Sequence, residues 1–439
     1  MSERLRSRTA RRVLVALAVL LLAVATGRAV KSTVDKLHDQ HHPAPIPVGY
    51  TDWRDTVWSP AHDLLNGYDP YDHVDFLARH PGQREFDLYM PHWFVYAVPL
   101  AILPYGEAEL LYAAVTALLI LVYAWLIARL ELRVTAGWVI FLAAVITGSA
   151  AGLQAIQLGQ HSFLLAIGVL LAINFSGKRD LLAAVGISIA FLKPQYGVPL
   201  AALLLLLGLW RPVLKGVALT AALALVPTIA VTVAAGGPVE LARVASANLD
   251  YSSSYFSDLA TSIKGRLDPA NVLAKLFGIE PTTAVQLVEA VVVLAVVYFA
   301  VRRCSAIAGR RGRAVRIALL SLGVLMATSH STYDGVMVVW PTVALAVAGV
   351  EESDEWVRRV LAVSVVLISA PIWYVTIVDR AANAVGLPDH VGEAVMSIGV
   401  LGALVVLSAA VISGRLARPA PPGRPGTPAH PMPIASPSS

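Results

Sequence analysis

Two carboxylates three positions apart, Asp52 and Asp55, stand in the segment Gly49-Tyr50-Thr51-Asp52-Trp53-Arg54-Asp55-Thr56-Val57-Trp58. On a helix that spacing puts both on one face and turns Arg54 away from them. A carboxylate held at an aqueous–lipid boundary can take a proton from a hydroxyl as a general base. The same residues also fit a plainer role as solvated loop acids, with Asn66-Gly67 and Asp69 making turns further on.

More polar groups interrupt long apolar runs, where they are expensive in lipid and need a reason. They are His92 in Tyr89-Met90-Pro91-His92-Trp93, Gln160 and His161 in Gln157-Leu158-Gly159-Gln160-His161, Lys193 and Gln195 around Pro194, and His330, Tyr333 and Asp334 in His330-Ser331-Thr332-Tyr333-Asp334. Lys193 follows Ile189-Ala190-Phe191-Leu192 and precedes another apolar run. A cation there could neutralise a lipid phosphate as a point charge or snorkel to the interface. For the histidines the default is an interfacial place at a helix end, a reading that three outward-facing ones together weaken.

Other chemistries lack their residues. No Gly-x-x-x-x-Gly-Lys-Ser/Thr phosphate loop, His-Glu-x-x-His zinc helix or Gly-x-Ser-x-Gly nucleophile turn is present. His41-His42 lie in an extended linker with Pro43, Pro45 and Pro47, so no metal site is expected. The single cysteine, Cys304, rules out an intramolecular disulfide framework and a thiolate cluster.

The elements that must position these groups are apolar. Only 14% of the 439 residues are charged and 57% are hydrophobic, against roughly 25% charged in soluble domains. Lipid must cover what charge does not, and an all-α, polytopic bundle follows. Runs near 12–30, 89–104, 108–129, 136–153, 161–175, 180–192, 196–210, 213–235, 283–301, 315–329, 335–350, 357–378 and 391–414 predict about 11 to 13 spans. The net charge of +5 comes from arginines clustered beside these runs, a positive-inside pattern rather than a nucleic-acid groove.

Arg4 to Arg12 predict a cytoplasmic N-terminus, with 12–30 a retained signal anchor. Arg302, Arg303, Arg310, Arg311, Arg313 and Arg316 mark a further cytoplasmic loop, and Arg358, Arg359, Arg415 and Arg418 two more cytoplasmic ends. The turn at His330–Asp334 then faces outward, as do loops 31–88 and 236–282. The first of these loops holds ten acidic residues against five basic ones, which fits that side. Thirteen spans would separate the termini, so either 89–104 is re-entrant or one of 180–192 and 196–210 does not cross. The segment 416–439, with eight prolines from Arg418 onward, is expected to be a disordered cytoplasmic tail.

At these residues the chain resembles polyprenyl-phosphate-sugar-dependent glycosyltransferases of the GT-C fold, glycosyltransferase family 87, in particular its actinobacterial α-mannosyltransferase and arabinofuranosyltransferase group. The likeness runs through Asp52-Trp53, Leu64-Leu65-Asn66-Gly67-Tyr68-Asp69-Pro70-Tyr71-Asp72, Tyr89-Met90-Pro91 through Leu103-Pro104, Gly159-Gln160, Lys193-Pro194-Gln195 and Trp210-Arg211. It departs from the family pattern at Trp53, where Phe is usual, and at Met90, which breaks a Tyr-Pro-Pro. A late Ser-x-x-Ser-Trp-x-His element survives only as Ser329-His330-Ser331-Thr332-Tyr333-Asp334.

The resemblance implies one glycosyltransferase domain over 1–415 in the plasma membrane, inverting a sugar on the outer face. A polyprenyl-phosphate sugar would be donor and co-substrate, mannose favoured over arabinofuranose, and a glycolipid or polysaccharide of the envelope the acceptor. No cofactor is implied. Asp52 would be the base, with Asp55 in reserve. Lys193, His330, Lys264 or Arg266 would stabilise the departing phosphate, and Arg54 could hold the acceptor. His92, Gln160, His161, Gln195, Tyr333 and Asp334 would line the donor's phosphate or sugar. Trp53 and Trp58 could stack on a sugar or sit at the interface. A glycolipid transporter or flippase would use the same polar residues as a pathway, although the internal symmetry common in transporters is not visible, and a non-enzymatic partner in envelope assembly has its one hint in the proline-rich tail.

Overall fold

The computed structural model describes residues 51–83, 89–132, 134–255, 266–279, 282–373, 384–386 and 389–417. The expected signal anchor at 12–30, most of the Pro-rich tail and Lys264 lie outside the described residues.

The described chain is helical, as composition requires. Thr51–Trp53, Arg54–Trp58 and Ser59–Leu65 run on as one helix, α1, whose middle segment widens to π-helical bonding. Then come α2 (His73–Arg79), α3 (Trp93–Ala101), α4 (Tyr105–Leu132), α5 (Ala136–Gly148), α6 (Ala150–Leu158), α7 (Ser162–Phe175), α8 (Asp180–Ala190) and α9 (Pro194–Leu206). The second half holds α10 (Trp210–Ala234), α11 (Pro238–Tyr255), α12 (Pro269–Phe277), α13 (Thr283–Cys304), α14 (Gly309–Met326), α15 (Thr332–Glu351), α16 (Glu355–Ile368) and α17 (Asp389–Ile412).

Five described helices are long and apolar enough to cross a membrane, or six if α5 and α6, bent by 72° at Ser149, count as one span. The polytopic all-α architecture therefore stands. The expected runs at 161–175, 180–192 and 196–210 become helices of 14, 11 and 13 residues, only about 21, 17 and 20 Å long. None bridges a hydrocarbon core of about 30 Å alone. Hydropathy cannot separate a short helix buried by its neighbours from one that crosses lipid. Run 89–104 is likewise only the nine-residue α3.

The axis of the bundle is α14, whose residues from Ile317 to Met326 are all buried. At the α14 N-terminal end, Arg313 bonds Glu131 of α4 at 2.7 Å and Asn174 of α7 at 3.1 Å. Arg310 and Arg311 reach Glu351 and Glu352 at 2.6 and 3.0 Å. These bonds level the α4 and α7 C-termini, the α13–α14 turn and the α15–α16 turn. The polar motifs gather at the opposite end.

Helices α7, α8 and α10 approach closely through glycine. A Cβ on Gly186 would lie 2.5 Å from the Gly168 carbonyl oxygen, and one on Gly216 2.7 Å from Ile187. The opposite side of α10 exposes Leu214, Val217, Leu225, Val226 and Val233, a lipid-facing stripe.

The segment expected to lie outside is folded over its described residues. Asp63 of α1 receives Arg79 at 3.1 Å and His80 at 2.9 Å, drawing α2 back onto α1. Asn248 of α11 donates to the Tyr71 carbonyl at 2.6 Å and meets His73 at 3.0 Å, so the two expected outer loops are joined.

Candidate functional site

Asp52 lies in the first turn of α1 and is 5% exposed. Its Oδ2 accepts a hydrogen bond from Gln160 Nε2, and Gln160 Oε1 accepts one from Lys193 Nζ at 3.0 Å. Three segments distant in sequence thus meet through one amide. Local chemistry prepares each. Gly159 ends α6 in the left-handed region (φ 70°), where a side chain is strained, and releases Gln160 and His161 before α7. Pro194 opens α9 and holds Lys193 extended (φ −117°, ψ 114°), as a residue before proline must be. The Lys193 side chain therefore leaves the helix end. Its ammonium lies 5.6 Å from the Tyr89 ring centroid and 5.2 Å from that of Tyr333, within cation–π range.

A second buried cluster adjoins the first. Asp334 accepts from Ser162 Oγ at 2.9 Å and pairs with His330 Nδ1 at 3.2 Å. Thr328 donates to the Gln195 carbonyl at 2.9 Å, and its oxygen lies 3.1 Å from His330 Nε2. A hydroxyl has one proton, so Thr328 accepts from His330 Nε2 while its own proton goes to the Gln195 carbonyl. Tyr333 joins the two clusters, with its ring 5.2 Å from Lys193 and its chain neighbour Asp334 bonded to Ser162.

His161 stands in an aromatic cage, 4.1 Å from Trp93 and about 6 Å from Tyr89, Tyr96 and Tyr112. Tyr112 gives its proton to the Gly159 carbonyl at 2.7 Å and accepts from His161 Nδ1 at 3.3 Å. His161 Nε2 is buried with no partner among the described residues.

Not every expected residue joins the site in the manner anticipated. Arg54 does not turn away from the carboxylates, because its Nε bonds Asp55 at 2.6 Å. The widened helix at 54–58 rotates side chains off the ordinary α-helical faces. Asp55 is thus tied to Arg54 while Asp52 is tied to Gln160. Trp53 is wholly buried between Tyr105 and Tyr112, at 5.4 and 5.3 Å, and anchors α1 to α4 rather than offering a face to sugar. Trp58 stacks on His62 at 4.8 Å. Gln195 takes part through its backbone carbonyl. His92 bonds the Ser188 carbonyl of α8 at 3.3 Å.

Arg266 pairs with Asp268, and its backbone bridges Ser331 beside His330. It is fully buried, with Nη1 unpartnered among the described residues. Sequence reasoning missed Ser162, Thr328, Tyr112 and Tyr196, whose ring meets that of His330 edge-on at 4.5 Å. Only Ser162 and Tyr196 carried a signal, as neighbours of His161 and Gln195.

A carboxylate and an ammonium held apart by one amide, both buried, can remove a proton at one end and meet developing negative charge at the other. Residues 88–332, more than half of the chain, match the sequence model of glycosyltransferase family 87. No curated protein and no solved structure matches the chain.

Proposed function

The chain belongs to glycosyltransferase family 87, and from that premise we propose that it takes its sugar from a polyprenyl phosphate on the outer face of the plasma membrane. Mannose is the favoured sugar and arabinofuranose the alternative. The acceptor is a glycolipid or polysaccharide of the cell envelope, and the N- and C-termini lie in the cytoplasm. Asp52 takes the proton of the acceptor hydroxyl. The freed oxygen attacks the anomeric carbon, the bond from that carbon to the phosphate oxygen breaks, and the sugar inverts. Polyprenyl phosphate leaves with the electron pair, its new charge met by Lys193. His330, held by Asp334 at 3.2 Å, is the second candidate to meet that charge.

The observation that supports this reading is the Asp52–Gln160–Lys193 connection. The amide keeps base and cation apart, which a displacement with nucleophile and leaving group on opposite sides of one carbon requires. Without the amide, an adjacent pair would neutralise itself as a salt bridge.

The test is transfer from radiolabelled polyprenyl-phosphate mannose in membranes. Asp52→Asn, which keeps the shape, should lower turnover by roughly 10²–10⁴-fold. If Asp52→Asn and Asp55→Asn both retain full activity, the proposed base is wrong.

A further inference from the structure

At the end of the bundle away from Asp52, a cavity of about 430 Å³ opens between the α7–α8 turn and the α13–α14 turn. Lys178, Arg302 and Arg316 line it. Several arginines at this end are paired with acids, Arg310 with Glu351, Arg311 with Glu352, Arg313 with Glu131, and Arg358 and Arg359 with Glu355, while Arg303 donates to the Ile412 carbonyl at 3.2 Å and Arg179 lies over the Phe175 ring. Among the described residues, the three cavity cations make no ion pair and no side-chain hydrogen bond. Asp180, the nearest acid in sequence to Lys178, is held by Lys215 at 3.8 Å.

The remaining wall has two characters. Leu204, Leu207 and Leu320 are apolar, while Asn174, Ser176 and Ser305 are polar. Ser176 and Ser305 spend their protons on backbone carbonyls at 2.7 Å, which leaves oxygen lone pairs for a ligand hydroxyl. Asn174 Oδ1 is taken by Arg313, leaving its amide hydrogens to donate. Beside the cavity Trp210 is half exposed at the start of lipid-facing α10, as interfacial tryptophans are.

We propose that this cavity binds the headgroup of an anionic phospholipid, its phosphodiester on Lys178, Arg302 and Arg316, its hydroxyls on the serines and an acyl chain along the leucines. The apolar wall beside the cations favours a lipid over a free anion. The site is separate from the transfer site, because the 18-residue α14 puts about 27 Å between its two ends. The proposal does not depend on which sugar is moved.

The test uses the full chain in detergent, with binding of dioleoylphosphatidylglycerol and dioleoylphosphatidylcholine followed by native mass spectrometry. Lys178→Gln/Arg302→Gln/Arg316→Gln should weaken phosphatidylglycerol binding by about 10- to 100-fold and leave phosphatidylcholine binding unchanged. Arg310→Gln/Arg358→Gln/Arg359→Gln removes as many charges outside the cavity and should stay within about twofold of wild type. Should the first triple variant fail to fold, Arg302→Gln and Arg316→Gln singly should each weaken binding by about fivefold. Equal binding by wild type and the cavity variants overturns the proposal. So does an equal loss in the control triple, equally tight phosphatidylcholine, or displacement of the lipid by millimolar inorganic phosphate.

Discussion

Lys193 sits 3.0 Å from the amide oxygen of Gln160, and the nitrogen of that amide donates to Asp52. The two charges fix which way the amide points, since oxygen must face the cation and nitrogen the carboxylate. Gln160→Glu would set a second carboxylate against Asp52 and a salt bridge against Lys193. Transfer should fall by at least about 100-fold, further than in Gln160→Ala, because repulsion is added to a lost bond. Side-by-side transfer assays of the two variants check this order.

Lys193→Met keeps much of the side chain's bulk and removes its charge. Turnover should fall by roughly 10²–10³-fold with a smaller change in KM, as for a group that acts on charge developing in the transition state. Lys193→Arg should restore little, since a planar guanidinium does not fit a place shaped for an ammonium between the Tyr89 and Tyr333 rings.

How much of this was legible in the sequence differs residue by residue. Asp52 could be singled out by its spacing from Asp55, and Gln160 and Lys193 because polar groups next to apolar runs need a reason. Their connection could not be seen, because it closes across 108 and 33 positions. The helical class was dictated by composition, but the number of crossings was not. Length in the folded state decides that, and α8 is cut short by the turn that delivers Lys193. Arg54 was misplaced because an ordinary helical period does not describe the widened turn at 54–58.

Asp63 is structural by its partners. Replacing it with Ala should strip Arg79 and His80 of their shared acceptor and loosen α2 from α1. A cost of about 1–3 kcal/mol is expected, visible as a lower melting temperature in detergent. At temperatures where the variant is folded, its turnover should remain within about tenfold of wild type.

Gly186 and Gly106 separate packing from backbone effects. Gly186→Val would drive a side chain into the α7 backbone, 2.5 Å from Gly168 and 2.6 Å from Ala172, and should cost about 3 kcal/mol or more. Gly106 has nothing within 4 Å of an added Cβ and lies in helical α4, so Gly106→Ala should be neutral or raise stability by about 0.5–1 kcal/mol. Melting temperatures of the two variants check both signs.

Asp69, in the turn before α2, has its carboxyl pushed above the usual range by burial, opposed by the Tyr71 N–H, with Asp72 raising it, Arg79 lowering it and Asp75 raising it. A raised folded-state value means the native chain holds the proton more tightly than the unfolded chain. The contribution to stability is therefore full below the ordinary carboxylate pKa and declines as pH rises through the shifted one. Asp69→Asn keeps an acceptor for the Tyr71 N–H, 2.9 Å away, without the charge. The variant should melt higher than wild type at neutral pH, and the two should converge as pH falls below about 4. Melting curves from pH 3.5 to 7.5 read this directly.

The brevity of α8 and α9 has a mechanical consequence for the bilayer. Where α8 and α9, which expose Leu181, Val198 and Leu206, fall about 10 to 13 Å short of the hydrocarbon thickness, the annulus beside them must thin, or water must enter from one side. The dimple would form at the outer rim, since the N-termini of α7 and α9 carry the reacting groups there under the proposed orientation. A long-chain carrier drifting into it would sink its headgroup to the depth of Lys193 while its tail stayed in oil. Access would then cost no extraction from the leaflet.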